Sequence, residues 1–315
     1  MATLGRRRFL AEVSGAVALG GLARLEARSW NQPNPDSPVN KQAFQWPDGK
    51  RAAISLNFDD ARVSQIDVGL DLLDECGVKV TFCVVPKAMK QRLEGWRRAV
   101  ASGHEIGNHT ANHPCTVNYG FSTQNVLENF TLEMMAKDID DANAEIRHLL
   151  GVTPITFAYP CGEMFVGRGR GTASYIPVVA ERFVVGLGPT EDWTTDRYEP
   201  VLNNPALCDL ARVHETSFGE WITMDYEDLV KCVAKAIEGG RWLVFGGHEF
   251  GEQGRHVANN SVIKALCQYI TDPSRGIWVD TVGRIGKYIQ EQRAKTGLSA
   301  MSRGAGRPDV VPITG

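Results

Sequence analysis

Between about residue 46 and residue 293, short apolar runs alternate with longer stretches whose apolar positions recur every three or four residues. The run Ala52-Ala53-Ile54-Ser55-Leu56-Asn57-Phe58 reads as a strand that ends in two aspartates. From Ser64 to Cys76, Ile66, Leu70 and Leu73 share one helical face with Val68 and Leu72 beside them. Gly77 closes that helix, and Val78 to Val85 forms the next strand. The same reading gives helices around Arg92–Ala101 and from about Val126 to Leu150, then strands at Ile155–Tyr159 and Arg182–Leu187. A helix at Tyr226–Glu238, a strand at Trp242–Phe245, a helix at Val262–Ile270, a strand at Ile277–Val279 and a helix to about Gln292 complete the order. Strands alternating with helices predict parallel β/α units. In barrels and open sheets of this kind, sites form at the C-terminal strand ends. With no internal repeat, the pattern predicts one α/β domain.

Four of those ends carry polar residues. Asn57-Phe58-Asp59-Asp60 closes the first strand. Adjacent carboxylates repel unless a cation or proton relieves them, although Asp is also favoured where a helix begins. His109-Thr110-Ala111-Asn112-His113-Pro114 follows His104-Glu105-Ile106-Gly107-Asn108. A turn between the two histidines would bring both imidazoles to one ion, and Pro114 keeps that turn brief. Two His and a carboxylate from another strand end make a hydrolytic metal site with room for water. In Phe157-Ala158-Tyr159-Pro160-Cys161-Gly162-Glu163, Pro160 and Gly162 impose a sharp turn, which either aims a backbone N–H at a ligand or only ends a strand. Trp242-Leu243-Val244-Phe245-Gly246-Gly247-His248-Glu249 delivers His248 to the same rim, where it suits a proton donor.

The chain has 315 residues, 43% hydrophobic and 23% charged, with a net charge of −3. That balance gives no bulk positive charge for nucleic-acid binding. No apolar run approaches the ~18 residues of a membrane-spanning helix. Seven cysteines are too few for a disulfide scaffold, form no CxxC pairs and, being odd in number, leave at least one outside any intramolecular pairing. Cys115 and Cys161 each follow a site motif, and a disulfide between them is one option. At the start, Gly5-Arg6-Arg7-Arg8-Phe9-Leu10 precedes the mildly apolar Val13 to Leu22. These are the parts of an export signal. R-R-R-F-L is similar to the bacterial twin-arginine pattern, with Gly5 where Ser or Thr is usual; an amphipathic helix is the alternative. Cleavage after Ala27 would remove four Arg and two Glu and take the net charge to −5. The domain plan is therefore a twin-arginine export signal at 1–28, a Pro/Asn/Ser-rich linker at 29–45, a catalytic domain at 46–293 and a disordered tail at 294–315. The expected location is periplasmic or extracellular.

In this order, N-F-D-D, H-T-A-N-H and F-G-G-H, together with the opening Trp46-Pro47-Asp48-Gly49-Lys50-Arg51, resemble the polysaccharide deacetylase (NodB-like) family of carbohydrate esterases over most of Trp46 to Gln292. The resemblance implies a distorted (β/α) barrel of about seven parallel strands and one divalent metal ion, usually Zn2+. It implies that Asp60, His109 and His113 hold the ion, that Asp59 is the general base and that His248 is the acid protonating the leaving amine. Thr110 would orient the loop between the histidines. The backbone N–H of Cys161, in the turn made by Pro160 and Gly162, would help hold the oxyanion. The implied substrate is an acetylated glycan that loses N-acetyl groups. An O-acetyl esterase, a small-amide hydrolase or a silent glycan-binding barrel would keep much of the same site.

The sequence departs from the family pattern in places. Ala158 stands where members often carry an Arg that steadies the catalytic Asp, and Arg212 is a candidate to replace it from elsewhere. Cys161 stands where an aromatic is usual. Asp192-Trp193 is the nearest string to the family's Asp-Trp motif. His104 is expected to pack at a strand end and His148 to lie on the surface, while His214 and His256 could line the cleft. Trp193, Trp221 and Tyr119 could stack on sugar rings.

Overall fold

The computed structural model describes residues 44–295 except 123, 190–199, 218–224 and 255. The export signal, residues 29–43 of the linker, the tail from 296, the Asp192-Trp193 string and Trp221 lie outside the described residues. Phe44 and Gln45, the last residues of the expected linker, pack on the domain instead. The Phe44 ring lies 4.8 Å from Trp46, and the Tyr288 hydroxyl donates to the Gln45 carbonyl at 2.9 Å.

Seven parallel strands close on themselves: β1 (Ala52–Asp59), β2 (Thr81–Val84), β3 (Glu105–Asn108), β4 (Thr156–Ala158), β5 (Val185–Pro189), β6 (Val213–Ser217) and β7 (Trp242–Gly247), with β7 pairing back onto β1. The eighth, β8 (Ile277–Val279), pairs with Ala52–Ile54, while the end of β1 at Asn57–Asp59 pairs with β2. This is the distorted barrel that the family resemblance implies. Helices pack around it: α1 (Leu70–Glu75), α2 (Leu93–Ala101), α3 (Leu132–Leu150), α4 (Ile176–Ala180), α5 (Tyr226–Gly239), α6 (Asn260–Thr271) and α7 (Val282–Lys295).

β1 is buried on both faces, because period-two alternation sorts it into two environments. Ile54, Leu56 and Phe58 join Leu70, Leu73, Leu266 and Ile270 in the layer beneath the helices. Ala53 packs inside the barrel with Trp242, Val244 and Val213. Ser55 accepts from the Trp242 indole at 3.1 Å, and Asn57 and Asp59 continue the inward row toward the mouth. The opposite end is plugged. Glu105 accepts from Thr81 and Thr156 hydroxyls at 2.8 and 2.7 Å and from the Gly283 N–H at the start of α7 at 2.8 Å. Satisfying this half-buried carboxylate closes the floor and leaves the C-terminal strand ends as the open face.

Several boundaries differ from expectation. The long helix begins at Leu132 rather than near Val126, because the Thr131 hydroxyl caps it by accepting from the Met134 N–H. The strand expected at Arg182–Leu187 runs instead from Val185 to Pro189, since Arg182 and Phe183 are tied by backbone bonds to Val179 at the end of α4. β2 begins at Thr81, not Val78. β6 was not expected at all: Val213-His214-Glu215-Thr216-Ser217 offers one apolar residue and no apolar run.

Candidate active site

At the end of β1 the chain turns sharply. Asp59 continues the inward face, but Asp60 and Ala61 adopt φ of 77° and 57°, a left-handed conformation that costs non-glycine residues free energy. The turn swings the Asp60 carboxylate to the histidines of the β3 loop. Asp60 Oδ1 lies 3.2 Å from His113 Nε2 and 3.4 Å from His109 Nε2. His248, which follows β7, places Nε2 3.8 Å from Asp60 Oδ2.

The two histidines converge because their loop is held at every step. Asn108 accepts from the Thr110 N–H at 2.7 Å while its amide donates to the Ile139 carbonyl and to Asn143 of α3. Thr110 Oγ1 accepts from the His113 N–H at 3.0 Å, a bond that spans the loop between the two histidines. Asp138, buried on α3, accepts from the N–H groups of Ala111 and Asn112 and from the Asn112 side chain. Thr110 and His113 both have positive φ. His109 donates from Nδ1 to the Ala158 carbonyl at 2.9 Å, which leaves Nε2 facing Asp60.

Asp59 is steadied differently. Asn57 Nδ2 donates at 2.9 Å to Asp59 Oδ1 and at 2.9 Å to Glu215 Oε1 of β6, so one amide links two carboxylates. Arg212 lies in the turn before β6, and its charge acts on Tyr159. Gln65 ties two strand ends together, donating to the backbone carbonyls of Asp59 at 2.6 Å and His248 at 2.8 Å. Burial pushes the Asp59 carboxyl above the usual range, against the opposing charges of His109 and His248. Burial would raise Asp60 too, but the bonds to His109 and His113 outweigh it and hold that carboxyl far below the usual range. Burial disfavours a charged His109, yet Asp59 and Asp60 raise it to about 9.

Asp59, Asp60, His109, His113 and His248 line a cleft of about 1060 Å³ together with Arg62, Tyr119, Phe121, Tyr159, Cys161, Glu215, Glu249 and His256. Cys161 has φ of 53° in the Pro160–Gly162 turn and is joined to Cys115 by a disulfide. Of the outlying residues, His256 lines the cleft with its ring 5.6 Å from His248. His104 packs under β2, accepting from the Val80 N–H, and His148 is exposed; His214 is not among the lining residues. Sequence reasoning missed Asn57, Gln65, Asp138 and Glu215. Asn57 alone carried a signal, as a polar residue inside an apolar strand.

Asp60, His109 and His113 offer an oxygen and two imidazole nitrogens within 4.8 Å of one another. That donor set is the one a divalent hydrolytic centre with an open position takes, so the residues fit such an ion. A parallel barrel with this set at its open end defines a class of barrel with a candidate hydrolytic metal centre.

Comparison with known proteins narrows the class. Residues 47–167 match the family model for polysaccharide deacetylase. It is 26% identical over 273 residues to a gellan lyase of a Bacillus species, covering 84% of this chain and 10% of that protein. It is 31% identical over 145 residues to chitin deacetylase 1 of Cryptococcus neoformans var. grubii, covering 44% of this chain and 28% of that protein. The chain therefore spans less than a third of the length of either relative. The fold is similar to that of a Mycobacterium smegmatis protein described as a candidate polysaccharide deacetylase, with a TM-score of 0.58 and 17% identity over 85% of this chain and 98% of that one.

Proposed function

We propose that the protein is a metal-dependent hydrolase that removes N-acetyl groups from an acetylated polysaccharide or oligosaccharide. The observation that carries this reading is the meeting of Asp59, Asp60, His109, His113 and His248, from three strand ends, on one cleft. The chitin and chitooligosaccharide deacetylases among the relatives support an acetylated glycan as the substrate class, and a cleft of about 1060 Å³ has room for it.

Asp60, His109 and His113 would hold the ion, and zinc suits one carboxylate with two imidazoles. When bound, the ion supplies positive charge that polarises an acyl carbonyl and makes water acidic near neutral pH. The remaining tasks fall to the chain. Asp59, fixed by Asn57, takes the proton from the attacking water. Its carboxylate lines the cleft and is held by the Asn57 amide. His248, at the end of β7 with Nε2 3.8 Å from Asp60 Oδ2, gives a proton to the departing amine, which is otherwise a poor leaving group. The Cys161 N–H, fixed by its turn and disulfide, donates to the oxygen that becomes negative. Tyr119 and Phe121, stacked 5.4 Å apart at the rim, offer an apolar face to a sugar ring.

Acetate release from N-acetylglucosamine oligomers under divalent-ion supplementation tests the reading, with O-acetylated glycan as the comparison. Release from the amide supports it; release from the ester alone reassigns the reaction, and no release from either contradicts it. Export by the twin-arginine route belongs to the same proposal, supported by R-R-R-F-L at the N-terminus. Replacing Arg6 and Arg7 with Lys is expected to retain the protein in the cytoplasm.

A further inference from the structure

Asp60 divides its two oxygens between different partners. Oδ1 faces both histidines, whereas Oδ2 accepts two bonds from Arg62, at 2.8 Å from Nη2 and 3.1 Å from Nε. The Arg62 side chain is 48% exposed and lines the cleft, while that of Asp60 is 14% exposed. Arg62 is held in turn. Its Nε lies 3.8 Å from Glu249 Oε1, and Glu249 Oε2 accepts from the Ser64 hydroxyl at 2.5 Å. Ser64 Oγ accepts from the Phe250 N–H at 3.0 Å. The set runs from the end of β1 to the residue that follows His248, joining the ends of two neighbouring strands.

We propose that Arg62 is a positioning residue that occupies Oδ2 and so presents Asp60 to the cation through Oδ1 alone, with Glu249 and Ser64 fixing the guanidinium. The inference rests on the metal-centre reading above. Its physical basis is that a ligating carboxylate depends on an outer partner for its orientation, and losing such a partner typically weakens metal binding ~10- to 100-fold. A guanidinium close to a cation also repels it. Two effects of opposite sign therefore act here. Arg62 is half exposed, so solvent and salt screen its charge, whereas the two-bond grip on Oδ2 acts through geometry and is not screened. The orienting effect wins. Lys cannot substitute, because an ammonium is a point donor without the paired N–H edge.

The test is the affinity of the metal-free full-length protein for Zn2+ by chelator competition, for wild type, Arg62→Ala, Arg62→Lys and Glu249→Gln. The Co2+ absorption spectrum of each reports coordination without reference to activity. Arg62→Ala and Arg62→Lys are expected to bind at least tenfold more weakly than wild type and to shift the Co2+ bands; Glu249→Gln is expected to fall between them and wild type. Thermal unfolding of the metal-free variants separates misfolding from lost affinity, because Arg62 lies on the surface and its removal should leave the midpoint unchanged. If Arg62→Ala binds as tightly as wild type or more tightly, Arg62 is a bystander or a competitor for Asp60, and the inference is overturned while the metal centre stands. If wild type itself binds neither ion, the metal-centre reading falls and takes this inference with it.

Discussion

Cys115 and Cys161, 46 residues apart in sequence, are joined by a disulfide that ties the loop of His113 to the turn presenting the Cys161 N–H. Cys115 Sγ lies 3.6 Å from His113 Nδ1, so the bond sits directly behind one of the proposed metal ligands. A crosslink of that span limits the unfolded chain by about 4 kcal/mol in the loop-entropy account. Cys115→Ala/Cys161→Ala is expected to lower the unfolding midpoint by on the order of 10 °C in a domain of this size. Reduction with a dithiol should have the same sign of effect and should weaken divalent-ion binding. Calorimetry and chelator competition on oxidised and reduced protein check it; identical values would show that the loop and turn hold themselves.

Asp59 and His248 should separate from the metal ligands in their phenotypes. Asp59→Asn and His248→Ala remove proton transfer without removing a donor from the ion. Each is expected to lower kcat ~10²- to 10⁴-fold while one equivalent of divalent ion still binds. Loss of the ion in either variant would mean that the residue is a ligand rather than an acid or base.

Asn57 offers its amide to Asp59 and Glu215 together. Two acceptors fix the side chain so that its N–H groups, rather than its oxygen, face Asp59. Asn57→Ala should reduce kcat ~10- to 100-fold with little change in KM, since the base loses its donor but the cleft keeps its walls. Glu215→Ala, which frees the amide to turn, should show a smaller loss of the same kind. A change confined to KM would assign both residues to substrate binding instead.

His104 sets a pH limit that does not involve the cleft. Its Nδ1 accepts from the Val80 N–H, so the ring must be unprotonated there, and burial holds its pKa below 6.5 despite the nearby Asp74. The unfolded chain takes up a proton in the window between the folded value and 6.5. This contribution to stability is therefore complete above about pH 6.5 and declines as pH falls through the folded value. Urea unfolding at pH 8 and pH 5 should show the decline, and His104→Gln should flatten it. A His104→Gln protein with the wild-type slope would contradict this assignment.

How much of this was legible in the sequence depends on what each residue does. The parallel β/α units were legible because β1, β2 and β7 are buried on both faces and read as apolar runs, while closure into a barrel was implied only by the family resemblance. β6 was hidden because its inward residue, Glu215, is polar and its strand borrows hydrogen bonds from β5 and β7 rather than advertising a core of its own. The ligand candidates stood out because Asp-Asp and H-T-A-N-H are dense in chemistry over a few residues. Their supports did not. Asp138 lies on the α3 helix, more than twenty residues beyond the loop it holds, and looks like any helical acid until that helix docks. Gln65 looks like the start of a helix until its amide meets two strand ends. Such roles belong to tertiary contacts, which single-residue patterns do not encode. The Cys115–Cys161 pairing was one option among many because seven cysteines fix no connectivity.

The most direct test is a Zn2+ titration of chelator-treated protein, with bound metal and acetate release from N-acetylglucosamine oligomers read in the same samples. Release should climb in step with binding and level off at one ion per chain, and His113→Ala should show neither the binding nor the climb. Acetate release at full rate in protein stripped of divalent ions, or saturation without any release, would contradict a hydrolase built around Asp60, His109 and His113.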